Sequence, residues 1–134
     1  MWANKYAGVP FADKGRGLDG MDCWGLVQHV YRGERGIELP GYEWCYHTTS
    51  DSMERIGETV LQQSSAHWKR IERGQEKEYD VVIMRMQGLP MHVGIVTQPG
   101  YMLHCLRGVG VSHENMSSAR WRNRILGIVR HGTD

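Results

Sequence analysis

Apolar positions along the chain change their period once, and the change splits it into two parts. In the first, Cys23, Leu26, Val27, Val30 and Tyr31 recur at i, i+3, i+4, i+7 and i+8, the spacing that lines one face of a helix. Asp22 immediately before this stripe predicts an N-cap, and Gly33 and Gly36 predict the stop. A thinner stripe of Met53, Ile56, Val60 and Leu61 after Ser50-Asp51-Ser52 predicts a second helix over 50–65, lying on the surface of the core. Ahead of both, the stretch from Gly8 to Gly20 carries Pro10, Gly15 and Gly17 without any period and reads as an extended arm.

Past a polar link from Glu72 to Glu78 the pattern shortens to β-type runs broken by Gly and Pro: Tyr79–Arg85, Met91–Thr97, Tyr101–Arg107, Val109–His113 and Ile125–Arg130. These predict an antiparallel meander of about five strands. Helices first and strands afterwards is the α+β order.

With 134 residues, the chain reads as one domain spanning 1–134. Its 40% apolar and 23% charged residues exclude a disordered chain. The 16 basic and 15 acidic residues leave a net charge of +1, too weak a field to gather nucleic acid or anionic lipid. The longest purely apolar run, Val81-Val82-Ile83-Met84, falls far short of the ~20 residues of a membrane span. Met1-Trp2-Ala3-Asn4-Lys5 lacks a signal peptide's apolar region, so the chain is expected to be made in a reducing cytoplasm. The odd set Cys23, Cys45 and Cys105 forms no CxxC pair, which argues against a disulfide framework or a structural zinc site.

A free cysteine with distant histidines is the pattern of a thiol nucleophile. The attacking species is the thiolate, and a helix N-terminus and a neighbouring imidazolium both favour it. Cys23 has the first of these by position and is expected to be ionised. Of the seven His, His92 is best placed, because it opens the run His92-Val93-Gly94-Ile95-Val96, in which it shares a face with Gly94 and Val96. Gly94 leaves room for close approach. Whether His104 on the next strand can touch His92 is a matter of parity. A two-residue turn at Pro99-Gly100 pairs Ile95 with His104 and puts the two His on opposite faces. An odd loop centred on Gln98 pairs Ile95 with Tyr101 and sets His92 directly opposite His104. Pro99 favours the odd loop, which is the expected register, and His104 then orients His92 and fixes its tautomer.

Zinc also accepts Cys and His, so Cys23, His92 and His104 are a ligand set by residue type, the less favoured reading. Cys45 and Cys105 read as spectators. His29 reads as a surface residue, as do His47, His67, His113 and His131, and the run Arg120–Arg124 with Trp121 inside it reads as a solvated turn.

Asp22-Cys23-Trp24-Gly25-Leu26-Val27, then His92-Val93-Gly94-Ile95-Val96, then His104, resembles the NlpC-type family of cell-wall peptidases, papain-fold cysteine hydrolases. The likeness runs from Tyr6 to His131. Trp24, the segment Tyr31–Pro40 and Leu126-Gly127-Ile128-Val129-Arg130-His131 look like the compact members of bacteriophage tail tips. The resemblance implies Cys23 as nucleophile, His92 as base and His104 as its orienting partner, with no cofactor and no metal. It also implies the peptidoglycan stem peptide as substrate, at the bond between D-glutamate and a diamino acid, and other tail-tip proteins as partners. The enzyme is then made in the host cytoplasm and carried to the cell wall in the virion tail. Where many members have a Tyr whose hydroxyl helps hold the oxyanion, this chain has Phe11. The oxyanion and substrate contacts are then expected from the region of Asp22, Cys23 and Trp24, with Tyr6. The alternative is a mainly structural tail-tip component with weak or vestigial activity.

Overall fold

The computed structural model describes residues 2–13, 15–39, 68–86 and 89–132. The expected helix over 50–65, Cys45, His47 and His67 lie outside the described residues. A 3₁₀ turn at Trp2–Lys5 and the arm lead to the hairpin of β1 (Arg16–Gly17) and β2 (Gly20–Met21). Then comes α1 (Cys23–Val30), where the stripe predicted it, prolonged by a π turn at Tyr31–Arg35 and closed by Gly36 at φ 65°. Six strands follow: β3 (Trp68–Ile71), β4 (Val81–Met86), β5 (Leu89–Gln98), β6 (Tyr101–Leu106), β7 (Gly110–Asn115) and β8 (Ile125–His131).

The strands form one sheet in the order β3-β8-β4-β5-β6-β7, with every pair antiparallel. From β4 to β7 the expected meander holds. β8 departs from it: instead of extending the meander past β7 it returns to the free edge of β4. The reason lies in β4 itself, whose Val81, Val82, Ile83 and Met84 are all fully buried. A strand buried on both faces cannot leave one edge of backbone N–H and C=O groups unpaired. β3, outside β8, escaped the sequence reading because Trp68-Lys69-Arg70-Ile71 has no alternation.

Each sheet face has its own apolar layer. On one, α1 places Cys23, Trp24, Leu26, Val27 and Val30 against Val81, Ile83, Val93, Ile95, Leu103 and Cys105. On the other, Met116 and Trp121 cover Val82, Met84, Val96, Met102, Leu106 and Ile128. Trp121 is therefore not part of a solvated turn; the segment after β7 folds back as a cover, and the arginines around Trp121 hold its rim, with Arg120 4.8 Å from the indole centroid. His131 is also less solvated than expected, its ring 5.1 Å edge-on from Trp68.

Candidate active site

The start of α1 is built by Asp22. Its backbone is extended, and the buried carboxylate accepts the Gly25 N–H at 2.7 Å and an Arg16 guanidinium N–H at 2.8 Å. This satisfies one orphan donor of the first turn, as an N-cap does. Gly25 is required by packing, since a Cβ there would stand 2.2 Å from the Gly15 carbonyl oxygen. The arm thus lies directly on the first turn and fixes where Cys23 points.

The β5–β6 ladder stops at Gly94↔His104 although both strands continue. The start of α1 fills the opening. Cys105 donates its S–H to the Met21 carbonyl at 3.1 Å, and the backbone N–H groups of Val93 and Trp24 act on the Cys23 sulfur. Cys105 is thus a fastener between β6 and the residues before Cys23. Cys23 itself sits beside the residue that follows His92.

The expected thiolate is not what this environment favours. Cys23 is 1% exposed, and burial pushes its thiol well above the ordinary range, with the Asp22 charge adding to the effect. The two N–H groups pull the other way and lose. The same burial, reinforced by His104, takes His92 down to about 3. At neutral pH the pair is a thiol and a neutral imidazole.

His92 Nε2 lies 2.9 Å from His104 Nδ1, with the rings 72° apart. The two share a face as expected, but by another register. Gln98 pairs with Tyr101, so the connection is the two-residue Pro99-Gly100 turn after all, with Gly100 at φ +88°. Pro followed by a residue at positive φ is the type II arrangement. Parity is then restored by a bulge between Val96 and Gln98: Val96 pairs with Met102, and Gly94, not His92, stands opposite His104. The extra residue, Thr97, is buried and hydrogen-bonded through Oγ1 to His113 Nε2 at 2.7 Å, which gives the bulge its anchor and His113 a partner.

His104 is fully buried, its ring meeting Trp121 edge-on at 4.7 Å. Its Nε2 lies 3.2 Å from a Glu114 carboxylate oxygen, which also accepts from Ser112 Oγ at 3.2 Å. Burial lowers His104 in spite of Glu114. Burial works against ionisation of Glu114, but hydrogen bonds led by that of His104 outweigh it and hold the carboxyl below its ordinary value. Glu114 was missed from the sequence. The signal was there in the Arg107-Gly108-Val109 loop, which sets His104↔Ser112 and so brings Glu114 diagonally onto the same face.

The remaining candidates separate. Trp24 is fully buried in the core, so only its backbone faces the sulfur. Tyr6 donates its hydroxyl to Glu34 at 3.2 Å and meets the His29 ring edge-on at 5.7 Å, which makes His29 half-buried rather than a surface residue. His29 is six residues past Cys23, about 9 Å along the helix at 1.5 Å per residue. Tyr6 therefore serves the far end of α1 and is not an oxyanion donor in this arrangement; burial and Glu34 raise it to about 12. Phe11 bridges to Met21, and the Arg107 guanidinium covers its ring at 4.8 Å while pairing with Asp13. Among the described residues, no group of three or more His, Cys, Asp or Glu side chains is placed to hold a metal ion. A described pocket of about 440 Å³ lies elsewhere, between Arg70–Arg73 and Ile125–Ile128 at the β3–β8 edge.

The family model described as "NlpC/P60 family" matches residues 8–130. The chain is 30% identical over 132 residues to the gamma-DL-glutamyl hydrolase of Bacillus subtilis, covering 96% of this chain and 27% of that protein. It is 29% identical over 126 residues to tail tip assembly protein K of Escherichia phage N15, covering 92% and 50%. To the murein DD-endopeptidase MepS/murein LD-carboxypeptidase of Escherichia coli K12 it is 27% identical over 119 residues, covering 89% and 54%. The chain thus spans from about a quarter to about half of the length of these relatives. The crystal structure of the NlpC/p60 domain of the peptidoglycan hydrolase SagA superposes with a TM-score of 0.64 at 23% identity, over 96% of this chain and 92% of that one, and shares its fold.

Proposed function

The chain belongs to the NlpC/P60 family, and on that premise we propose that residues 1–134 form one cysteine peptidase domain acting on peptidoglycan stem peptides. The observation that carries the reading is the opening in the β5–β6 ladder, where Cys23 meets the backbone beside His92 while His92 is held by His104. Since burial keeps both partners neutral, proton transfer accompanies attack. His92 takes the thiol proton as the sulfur bonds to the amide carbon. The oxyanion is met by backbone N–H groups at the start of α1, and His92 returns the proton to the leaving amine as the tetrahedral intermediate collapses. Water, deprotonated by His92, then attacks the acyl carbon; the carbon–sulfur bond breaks and His92 passes that proton back to the departing sulfur.

For the substrate bond, the names of the relatives lend support to the reading. The name of the Bacillus subtilis protein supports hydrolysis of a gamma-glutamyl bond, which fits a cut between D-glutamate and a diamino acid, whereas that of MepS points to other bonds of murein. Likeness to tail tip assembly protein K supports a place among the tail-tip proteins of a phage; synthesis in the host cytoplasm and action at the wall complete the proposal. A second reading, a tail-tip component with latent activity, is favoured by the near-complete burial of Cys23 and by Phe11.

One experiment decides between them: digestion of defined stem peptides followed by mass spectrometry, with the wild type beside Cys23→Ala and His92→Ala. The enzyme reading expects fragments from the wild type alone, and their masses name the bond. Equal fragment release by all three proteins, or none by the wild type, rejects it.

A further inference from the structure

We propose that Glu114 is a positioning residue that sets the tautomers of both histidines, and so makes Nδ1 of His92 the atom that accepts the thiol proton. The proposal rests on the peptidase reading above for its consequence, but not for its geometry.

The argument is a count of hydrogens along one chain of contacts. An ionised carboxylate only accepts, so at the 3.2 Å contact with Glu114 the hydrogen belongs to His104 Nε2. A neutral imidazole carries one N–H, which leaves His104 Nδ1 as a bare acceptor. At the 2.9 Å contact the hydrogen must then belong to His92 Nε2. Neutral His92 has spent its only hydrogen there, and its Nδ1 is left with a free lone pair. Reversing any one contact reverses the next, and would put a hydrogen on the nitrogen that has to act as base.

The surroundings hold this polarity. Ser112 Oγ, opposite His104 in the ladder, adds a second hydrogen bond to the same Glu114 oxygen. Arg120, on the segment that covers this face, opposes a second proton on His104, and so does burial. The Trp121 edge fixes the His104 ring plane. Among the described residues, the charged or titratable groups at the relay are thus Cys23 at the start of α1, His92 on β5, His104 on β6, Glu114 on β7 and Arg120 on the covering segment.

The test reads the hydrogens directly. Imidazole ¹⁵N shifts are measured in the Cys23→Ala chain, where no thiolate–imidazolium pair can form. The expected result at neutral pH is an Nε2–H tautomer at both His92 and His104. An Nδ1–H tautomer at His104, or a doubly protonated His104, overturns the proposal. In a second arm, Glu114→Ala is expected to mix the tautomers and to lower kcat by about 10–100-fold with KM unchanged, as loss of an orienting partner does. Glu114→Gln, whose side-chain oxygen still accepts, restores the Nε2–H pattern and most of kcat. A Glu114→Ala chain that keeps both Nε2–H tautomers overturns the proposal. A wild type that cleaves no stem peptide rejects the peptidase reading alone, because the ¹⁵N pattern decides the role of Glu114 without turnover.

Discussion

Gly94 stands directly opposite His104 in the β5–β6 ladder, and His92, two residues earlier, reaches diagonally to His104 with 2.9 Å between ring nitrogens. A diagonal pair in a sheet is about 7–8 Å apart at the backbone, within reach of ring side chains. A Cβ at Gly94 would lie 2.9 Å from the Leu103 carbonyl oxygen, 3.2 Å from Met102 Sδ and 3.3 Å from Met84 Cε. The methionine ends can move; the carbonyl belongs to the ladder and cannot. Gly94→Ala is therefore expected to cost about 1–3 kcal/mol by overpacking. Thermal unfolding reads this as a Tm lower by roughly 4 °C per kcal/mol. On the peptidase reading, activity falls further than the stability loss explains, because the shifted strand carries His92. An unchanged Tm would show that β6 yields at this point.

How much of this could be read from residues alone differs by element. The helix start was legible because Asp22, Cys23 and Gly25 act within one turn, where spacing and geometry are equivalent. The shared face of His92 and His104 was anticipated, yet through a wrong register, because a bulge is set by tertiary contacts. Thr97 is held by His113 from two strands away, and no local pattern in 96–98 announces it. The return of β8 to β4 depended on both faces of β4 being covered, a property of the assembled layers. The state of Cys23 was misjudged for a related reason: a helix N-terminus is visible in sequence, whereas the desolvation that overrides it is not.

That desolvation makes a prediction with an unusual sign. Asp22 caps α1 but its charge also raises the Cys23 thiol. Asp22→Asn keeps an oxygen for the Gly25 N–H and removes the charge, and Asn caps as well as Asp. The variant is expected to alkylate at Cys23 faster than the wild type at pH 7–8, as mapped by mass spectrometry. Asp22→Ala gives up the cap at about 1 kcal/mol as well. In the wild type, labelling of native Cys23 lags behind the unfolded chain and quickens only at alkaline pH. Slower labelling of Asp22→Asn would refute the electrostatic account.

The buried histidines set the acid limb of stability. His92 is lowered from 6.5 to about 3 and His104 is lowered too, so the folded state binds fewer protons than the unfolded chain below pH 6.5. Their contribution is present in full above the unfolded value and is lost as the pH falls towards the folded one. Each proton adds a slope of about 1.4 kcal/mol per pH unit. Urea unfolding of His92→Gln, whose amide can still donate to His104, should show a slope shallower by up to that amount between about pH 6 and pH 4. Equal slopes in the two proteins would mean that His92 is protonated in the native state.

The corner where β8 meets the start of β4 offers a perturbation of stability that, on the peptidase reading, leaves the chemistry alone. Arg130 on β8 grips the fully buried Asp80 with Nε and Nη2, both at 2.8 Å, and the Lys77 N–H donates to the same carboxylate at 2.8 Å. The Asp80 carbonyl in turn accepts the Val96 N–H, so this corner joins β8, β4 and β5. Arg130→Ala leaves the carboxylate buried without its cation. Breaking a buried pair this way costs about 3–5 kcal/mol, with the lower end expected because the Arg130 side chain is 17% exposed. The loss should appear in urea unfolding, while kcat per folded molecule stays near wild type, since β4 separates β8 from the β5–β6 opening. Because Gly94→Ala and Arg130→Ala both destabilise, the comparison isolates geometry: at matched folded fraction only the first should slow turnover. Equal kcat in both variants would mean that the His92–His104 contact tolerates displacement of its strand.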